Sequence, residues 1–365
     1  MGVTLFQLGR NEAAIRALEY GISQAIDFAG EKSGLAALPA LPLAAVAYDC
    51  NDLDRATKLV ADHLPVAREF AFSDELMAGY LTLPRLHFAQ GDVAGAFRAL
   101  DEANSVALEL GIERMVVHVL AEKIRTLLAT GHIERAAEVA RQGGLPADSR
   151  MVNPQIHSTT TDEVRASAWV RLAIHQGNVN EALQLTQRWR QFCTHRGAVR
   201  ALVGWNLLHA QLQMMTGNGR AAQRSLREAL IVAAEGKNKR IFLDEGVRIH
   251  ELLTEAYRAG PITKHPADLY AYDLLTAFDN RSRSRNTDDL DHLIDDEAGI
   301  DGKMTGREIE ILTCVASGLR NKEIGDRLGL TEGSVKWYMQ RIYDKVGTRR
   351  RSIAVERARQ FGFLE

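Results

Sequence analysis

The sequence predicts an all-α protein: an α-solenoid of about six helix pairs followed by a smaller four-helix domain. Three observations carry that prediction. A Gly followed five residues later by Ala recurs at Gly9/Ala14, Gly91/Ala96, Gly131/Ala136, Gly177/Ala182 and Gly217/Ala222, with Asn51/Ala56 in the same register, so the chain repeats with a period near forty residues. The composition, 29 Gly and 8 Pro in 365 residues with 6% aromatic and 46% hydrophobic side chains, suits short helices rich in Ala and Leu and excludes collagen-like or wholly disordered chains. The charge is divided as well. From Lys303 to Glu365 thirteen cations stand against eight anions, a net +5, whereas the whole chain carries -2 and the rest therefore -7.

Within each repeat the Gly or Asn takes the left-handed backbone that ends a first helix, and the small Ala lets the second helix lie close against it. Apolar residues then follow at helical spacing, as in Ala96, Leu100, Ala103 and Ala107 before Gly111, or Ala222, Leu226, Ala229 and Ala233 before Gly236. The pattern fades after Tyr257, where Gly260-Pro261 breaks the chain, and Asp268 to Phe278 reads as a closing helix. A polar run with Arg281, Arg283 and Arg285, followed by acids up to Asp301, reads as a solvated linker with a short helical turn around Leu290 to Ile294. The expected domains are thus 1–280, 281–302 and 303–365. From Met1 to about Phe278 the repeat resembles the tetratricopeptide-like superhelix, with a period longer than the usual length of roughly thirty-four residues.

The C-terminal segment divides into helices by its caps. A first helix starts at the capping box Thr305-x-x-Glu308, buries Ile309, Leu312 and Ala316, and ends at Gly318. Asn321 caps a second, with Ile324 and Leu328 inward, and Gly329 leads a tight turn to Thr331. Thr331 caps a third helix that Gly347 stops. Its Val335, Met339, Ile342 and Val346 face the scaffold with Tyr338 flanking them, so Gly333, Lys336, Trp337, Gln340 and Arg341 point outward together, where they can enter a major groove about 12 Å wide. A final helix, Ser352 to Gln360, carries the apolar stripe Ile353, Ala354, Ala358 and then Phe361. Helices two and three, joined by so short a turn, are a helix-turn-helix, and the +5 charge suits phosphate.

Thr305-Gly306-Arg307-Glu308, Gly318-Leu319-Arg320-Asn321-Lys322-Glu323-Ile324, Leu328 to Lys336 and Ile342 to Gly347 together resemble the LuxR-type DNA-binding domain throughout its length. The resemblance implies that Lys336, Trp337 and Gln340 face base edges with Arg341 beside them, while Asn321, Lys322 and Thr331 cap helices or reach phosphates. It also implies a homodimer on double-stranded DNA, paired through Ile353, Ala354 and Ala358; the same stripe can instead close the domain's own core. The family usually has His where Tyr338 stands and often a smaller residue at Trp337, which leaves the base preference open. Repeats followed by this domain resemble the C-terminal half of the large MalT-type ATP-dependent LuxR activators, where a nucleotide-binding domain precedes a superhelix that senses an inducer. Here Gly236-Lys237 is followed by Asn238 and Gly302-Lys303 by Met304, so neither completes a phosphate-binding loop. The expectation is a bacterial transcriptional regulator, an activator, with RNA polymerase and a small-molecule or protein effector as further partners and no cofactor.

Other classes fare worse. Cys50, Cys193 and Cys314 are too far apart for a disulfide framework or metal site and read as packing residues, which points to a reducing, cytoplasmic location. The first ten residues lack the pattern of a signal peptide, and the longest uncharged stretch, Ser33 to Tyr48, falls short of the roughly 20 apolar residues that span a bilayer. No two His residues stand closer than 14 apart and no Gly-x-Ser-x-Gly occurs, so neither a catalytic nor a metal residue is expected. Trp169, Trp189 and Trp205 either fill interhelical core or line an effector groove. The rival reading is a helical-repeat interaction scaffold whose helix-turn-helix no longer reads DNA.

Overall fold

The computed structural model describes residues 1–30, 34–70, 73–257, 265–284, 306–328, 335, 338, 339, 342, 343, 348, 350–360 and 363. They fall into two compact units, Met1–Arg285 and Asn286–Glu365. The first holds six helix pairs: α1 (Gly2–Gln7) with α2 (Asn11–Ala29), α3 (Gly34–Asp49) with α4 (Leu53–Phe70), α5 (Ser73–Ala89) with α6 (Val93–Glu109), α7 (Glu113–Ala129) with α8 (Ile133–Gln142), α9 (Thr160–Gln176) with α10 (Val179–Arg196), and α11 (Val199–Met215) with α12 (Gly219–Gly236). After them come α13 (Arg240–Leu243), α14 (Val247–Tyr257) and α15 (Pro266–Ser284).

The register found in the sequence is the register of the fold. Gly9, Asn51, Gly91, Gly131, Gly177 and Gly217 each sit between the two helices of a pair, with φ from +66° at Asn51 to +87° at Gly91. At Gly91 the N–H bonds the Phe88 carbonyl and the next N–H, of Asp92, reaches back to His87; Gly131/His132 and Asn51/Asp52 repeat this double closure of the helix end. The Ala five residues on is 0% exposed in all six repeats, pressed against the preceding helix where a longer side chain would force the pair apart. The one long interval, Gly131 to Gly177, is filled by the connection between α8 and α9, which holds a 3₁₀ turn over Ser149–Val152.

The array returns on itself. In sequence order α3 packs on α5, α5 on α7, α7 on α9, α9 on α11 and α11 on α13, and α13 packs back on α3. The closure is polar. Arg200 donates through Nε and Nη2 to the two carboxylate oxygens of Asp49 at 3.0 Å each, and its guanidinium lies 4.9 Å from the Phe6 ring centre. Asn11 donates to the Gly236 carbonyl at 2.8 Å and to Asn238 Oδ1, 227 residues away. Tyr48 donates to Asp244 Oδ2 at 2.8 Å and accepts from Arg240 Nη2 at 3.1 Å.

The closing helix α15 begins two residues before Asp268 and continues through residues 281–284, the first part of the stretch expected as linker. Gly260-Pro261 and the turn expected at 290–294 lie outside the described residues. In the second unit α16 (Gly306–Ala316), α17 (Asn321–Leu328) and α18 (Arg351–Gln360) are helical, as are residues 335, 338, 339, 342 and 343. Among the described residues no helix is long and apolar enough to cross a membrane.

Candidate nucleic-acid interface

The second unit is built on one core. Ile311, Leu312, Val315, Ile324, Val335, Tyr338, Met339, Ile342, Ala354 and Ala358 are buried together, with Cys314 among them. Val335, Met339 and Ile342 therefore face the scaffold as their spacing predicts, and Tyr338 joins them at 1% exposure instead of flanking them. The inward stripe of α16 is shifted by one position from the expected one. Glu308, Ile311, Leu312 and Val315, related by three- and four-residue spacings (308/311, 308/312, 311/315), are buried, whereas Ile309 is half-buried and Ala316 exposed. Leu328 is likewise only half-buried against the core.

The turn between α16 and α17 has a defined geometry. Gly318, at φ +84°, bonds the Val315 carbonyl and Leu319 bonds that of Cys314, the same double closure that ends the repeat helices. Glu323 then accepts from the Arg320 backbone N–H at 2.6 Å, capping the start of α17 from its third residue. Asn321 is the first residue of α17, and its Oδ1 accepts from Arg351 Nη1 at 2.8 Å while Arg351 Nη2 donates to the Leu319 carbonyl. In the sequence Arg351 is one of the thirteen C-terminal cations suited to phosphate. Its partners are 30 and 32 residues away, and no local pattern announces them.

Lys322 is exposed on the first turn of α17. Thr331, Lys336, Trp337, Gln340 and Arg341, and with them Gly333, Val346 and Phe361, lie outside the described residues. On α18, Ala354 and Ala358 are 0% exposed within the domain's own core and Ile353 is half-buried, so of the three expected pairing residues Ile353 alone keeps surface.

The ring in the first unit lines a half-open cavity of about 170 Å³ whose wall includes Asp49, Arg85, Glu122, Glu163, Arg171, Arg200 and Trp205. Arg85 Nε and Arg125 Nε each donate to Glu122 at 3.0 Å. Burial would raise the Glu122 carboxyl, but the two guanidiniums outweigh it and hold the group down to about 2. At Glu163 the balance falls the other way: burial pushes the carboxyl up to about 7 against the opposing pull of Arg200, the Trp205 indole and Arg171. Trp169 and Trp189 are core residues, their indole nitrogens bonded to the Ala147 and Val152 carbonyls at 3.3 and 2.9 Å. Trp205 is a core residue as well. It stacks on Trp189 with ring centres 5.4 Å apart and forms part of the cavity wall. Cys193 and Cys314 are buried in the two cores, and burial pushes the Cys193 thiol up to about 12, far from a thiolate nucleophile.

Two family models match the chain. That of the MalT-like TPR region covers residues 2–259, and that of bacterial regulatory proteins of the luxR family covers residues 303–358. Among similar curated proteins, the HTH-type transcriptional regulator AlkS of Alcanivorax borkumensis is 35% identical over 101 residues, 26% of this chain and 12% of that protein. The AlkS of Pseudomonas putida is 21% identical over 325 residues, 87% of this chain and 34% of its own. Serine/threonine-protein kinase PknK of Mycobacterium tuberculosis is 27% identical over 221 residues, 60% of this chain and 19% of that protein. The chain thus spans no more than about a third of the length of these relatives.

Proposed function

This chain belongs to the family with a MalT-like TPR region and carries a luxR-family regulatory domain behind its repeats, and from that premise we propose that it is a sequence-specific DNA-binding transcriptional activator whose array senses an effector. The observation that carries the reading is the buried set Val335, Tyr338, Met339 and Ile342, which fixes the inward face of the third helical segment. Helical periodicity then assigns Lys336, Trp337, Gln340 and Arg341 to the opposite face, the one that meets base edges. Lys322, exposed beside the Arg351-braced turn, and Thr331 act at phosphate. The Asn321 carbonyl oxygen is engaged by Arg351, so its amide nitrogen is the group for a phosphate oxygen. Pairing on a two-fold site rests on Ile353, because Ala354 and Ala358 have no surface to offer. RNA polymerase as partner, a cytoplasmic location and the absence of enzymatic activity go with this reading.

The test starts from the full chain and a random DNA pool. On the selected sequence, Lys336→Ala or Gln340→Ala should each cost roughly 1 to 3 kcal/mol and cost little on random DNA, whereas Lys322→Ala should weaken both about equally and make the slope of log affinity against log salt shallower by about 1. If Lys336→Ala and Lys322→Ala lower both affinities in the same proportion, the third segment is not the reader.

A further inference from the structure

The ring cavity holds more hydrogen-bond donors than the surrounding protein engages. Arg85 donates through Nε alone, and Arg200 uses Nε and Nη2 on Asp49, so Nη groups of both remain without an acceptor among the described residues. Arg171 bonds Glu245 and Ser167 through its two Nη atoms, while its Nε is buried with no partner. Trp205 Nε1, on a side chain 1% exposed, lies toward the Glu163 carboxyl without completing a hydrogen bond to it.

Acceptors are in short supply by comparison. Asp49 is engaged by Arg200, Glu122 by Arg85 and Arg125, Asp244 by Tyr48 and Arg240, and Glu245 by Arg171 and Gln211. Glu163 alone among these acids has no arginine bonded to it. With a proton on Glu163, the four guanidiniums of Arg85, Arg125, Arg171 and Arg200 face four carboxylates and the lining is neutral; an ionised Glu163 would make it negative.

Guanidinium N–H groups left without a protein acceptor around a half-open cavity favour an acceptor bearing negative charge, and the buried Arg171 Nε is costly while it has none. We propose that the ring cavity is a binding site for a small organic oxyanion, held by the unengaged donors of Arg85, Arg171 and Arg200. At about 170 Å³ the space is close to that which takes a benzene-sized guest, so the ligand has about six to nine non-hydrogen atoms. The inference deepens the effector-sensing reading and rests on it.

The neighbourhood of Glu163 gives the site a signature. Arg171 shares its helix, Arg200 and Trp205 approach from α11, Cys193 from α10, and the wall is completed by Asp49 and Tyr48 of α3, His118 and Glu122 of α7 and Asp244 beyond α13. Burial first, with Arg85 and Arg114 nearby, lowers the His118 imidazole, and burial raises the Tyr48 phenol, so both stay uncharged from pH 7 to 8. Glu163 is then the group that changes charge there, and an anion is taken up with the protonated form. Affinity falls about tenfold per pH unit above 7.

Titration calorimetry of the full chain at pH 6, 7 and 8 tests this with benzoate, inorganic phosphate and the neutral benzamide. Benzoate or phosphate binds, benzamide binds at least tenfold more weakly, and whichever anion binds names the head group as carboxylate or phosphate. Arg85→Gln, which leaves Glu122 paired with Arg125, and Arg171→Lys each weaken the anion by about tenfold or more. Glu163→Gln keeps binding and loses its pH dependence. No heat with either anion, or benzamide as tight as benzoate, overturns the oxyanion site; so does an affinity unchanged in both arginine variants. DNA affinity measured with and without the bound anion separates the two claims, since an anion that binds and leaves DNA affinity unchanged overturns sensing by the array and upholds the site.

Discussion

Asn51 holds a φ of +66° at the register position where five other repeats place Gly. Left-handed backbone costs an ordinary L-residue about 1–2 kcal/mol, and Asn tolerates it because its short polar side chain finds local partners. Here Oδ1 also accepts from Arg240 Nη1 at 3.3 Å. Asn51→Ala should therefore lower stability by about 1–2 kcal/mol and Asn51→Gly by less, as read by denaturant unfolding; equal losses would show that the side-chain bond and not the backbone sets the choice. Glu163 gives a prediction in pH. Its carboxyl titrates near 7 when folded against 4.5 for the free group, so the folded chain holds a proton that the unfolded chain releases, and stability from this group is present in acid and withdrawn as pH rises from 4.5 to 7. Glu163→Gln removes that loss. Its melting temperature should exceed the parent's at pH 8 and match it at pH 5; a gap of the same size at both pH values would contradict the assignment.

At the level of elements, the helix ends were legible because one residue type at one spacing carries them. Gly or Asn with Ala five residues on marks a left-handed stop and a close approach, and both consequences follow from the size of the side chain. The inward stripe of α16 was not legible: Ile309 and Ala316 have the right spacing for a buried face, yet Glu308 takes the inner position that an acid would not be assigned from hydropathy. The role of Arg351 was hidden for a different reason, since a guanidinium that braces a turn looks in sequence like one that waits for phosphate. Arg351→Ala should destabilise the second unit by about 1–3 kcal/mol by releasing the Asn321 and Leu319 oxygens, and Arg351→Lys should recover little of it, because an ammonium cannot span both acceptors as the fork does. Full recovery with Lys would mean that charge, and not the two-pronged bond, holds α18 to the turn.

Across the whole molecule, the division into a repeat unit and a basic helical unit was visible in period and charge, whereas the return of α13 onto α3 was not. Pairs such as Asp49/Arg200 and Tyr48/Asp244 lie 151 and 196 residues apart, and each member reads alone as an ordinary polar residue at the end of a helix. That return changes what kind of repeat protein the first unit is. An open solenoid behaves as a row of neighbours, loosening from its two ends inward, with each pair contributing nearly independently. A closed ring has no end to fray. The amides of α2 and α3 should exchange with solvent as slowly as those of α7, and the unit should melt in a single cooperative step; exchange that speeds up steadily toward α1 would show that the contacts of Asn11, Asp49 and Tyr48 do not hold in solution. For the same reason the number of pairs is set by geometry. Deleting one pair would leave a gap and not a shorter array, so insertions and losses of whole repeats, cheap in an open solenoid, would here dismantle the cavity along with the ring.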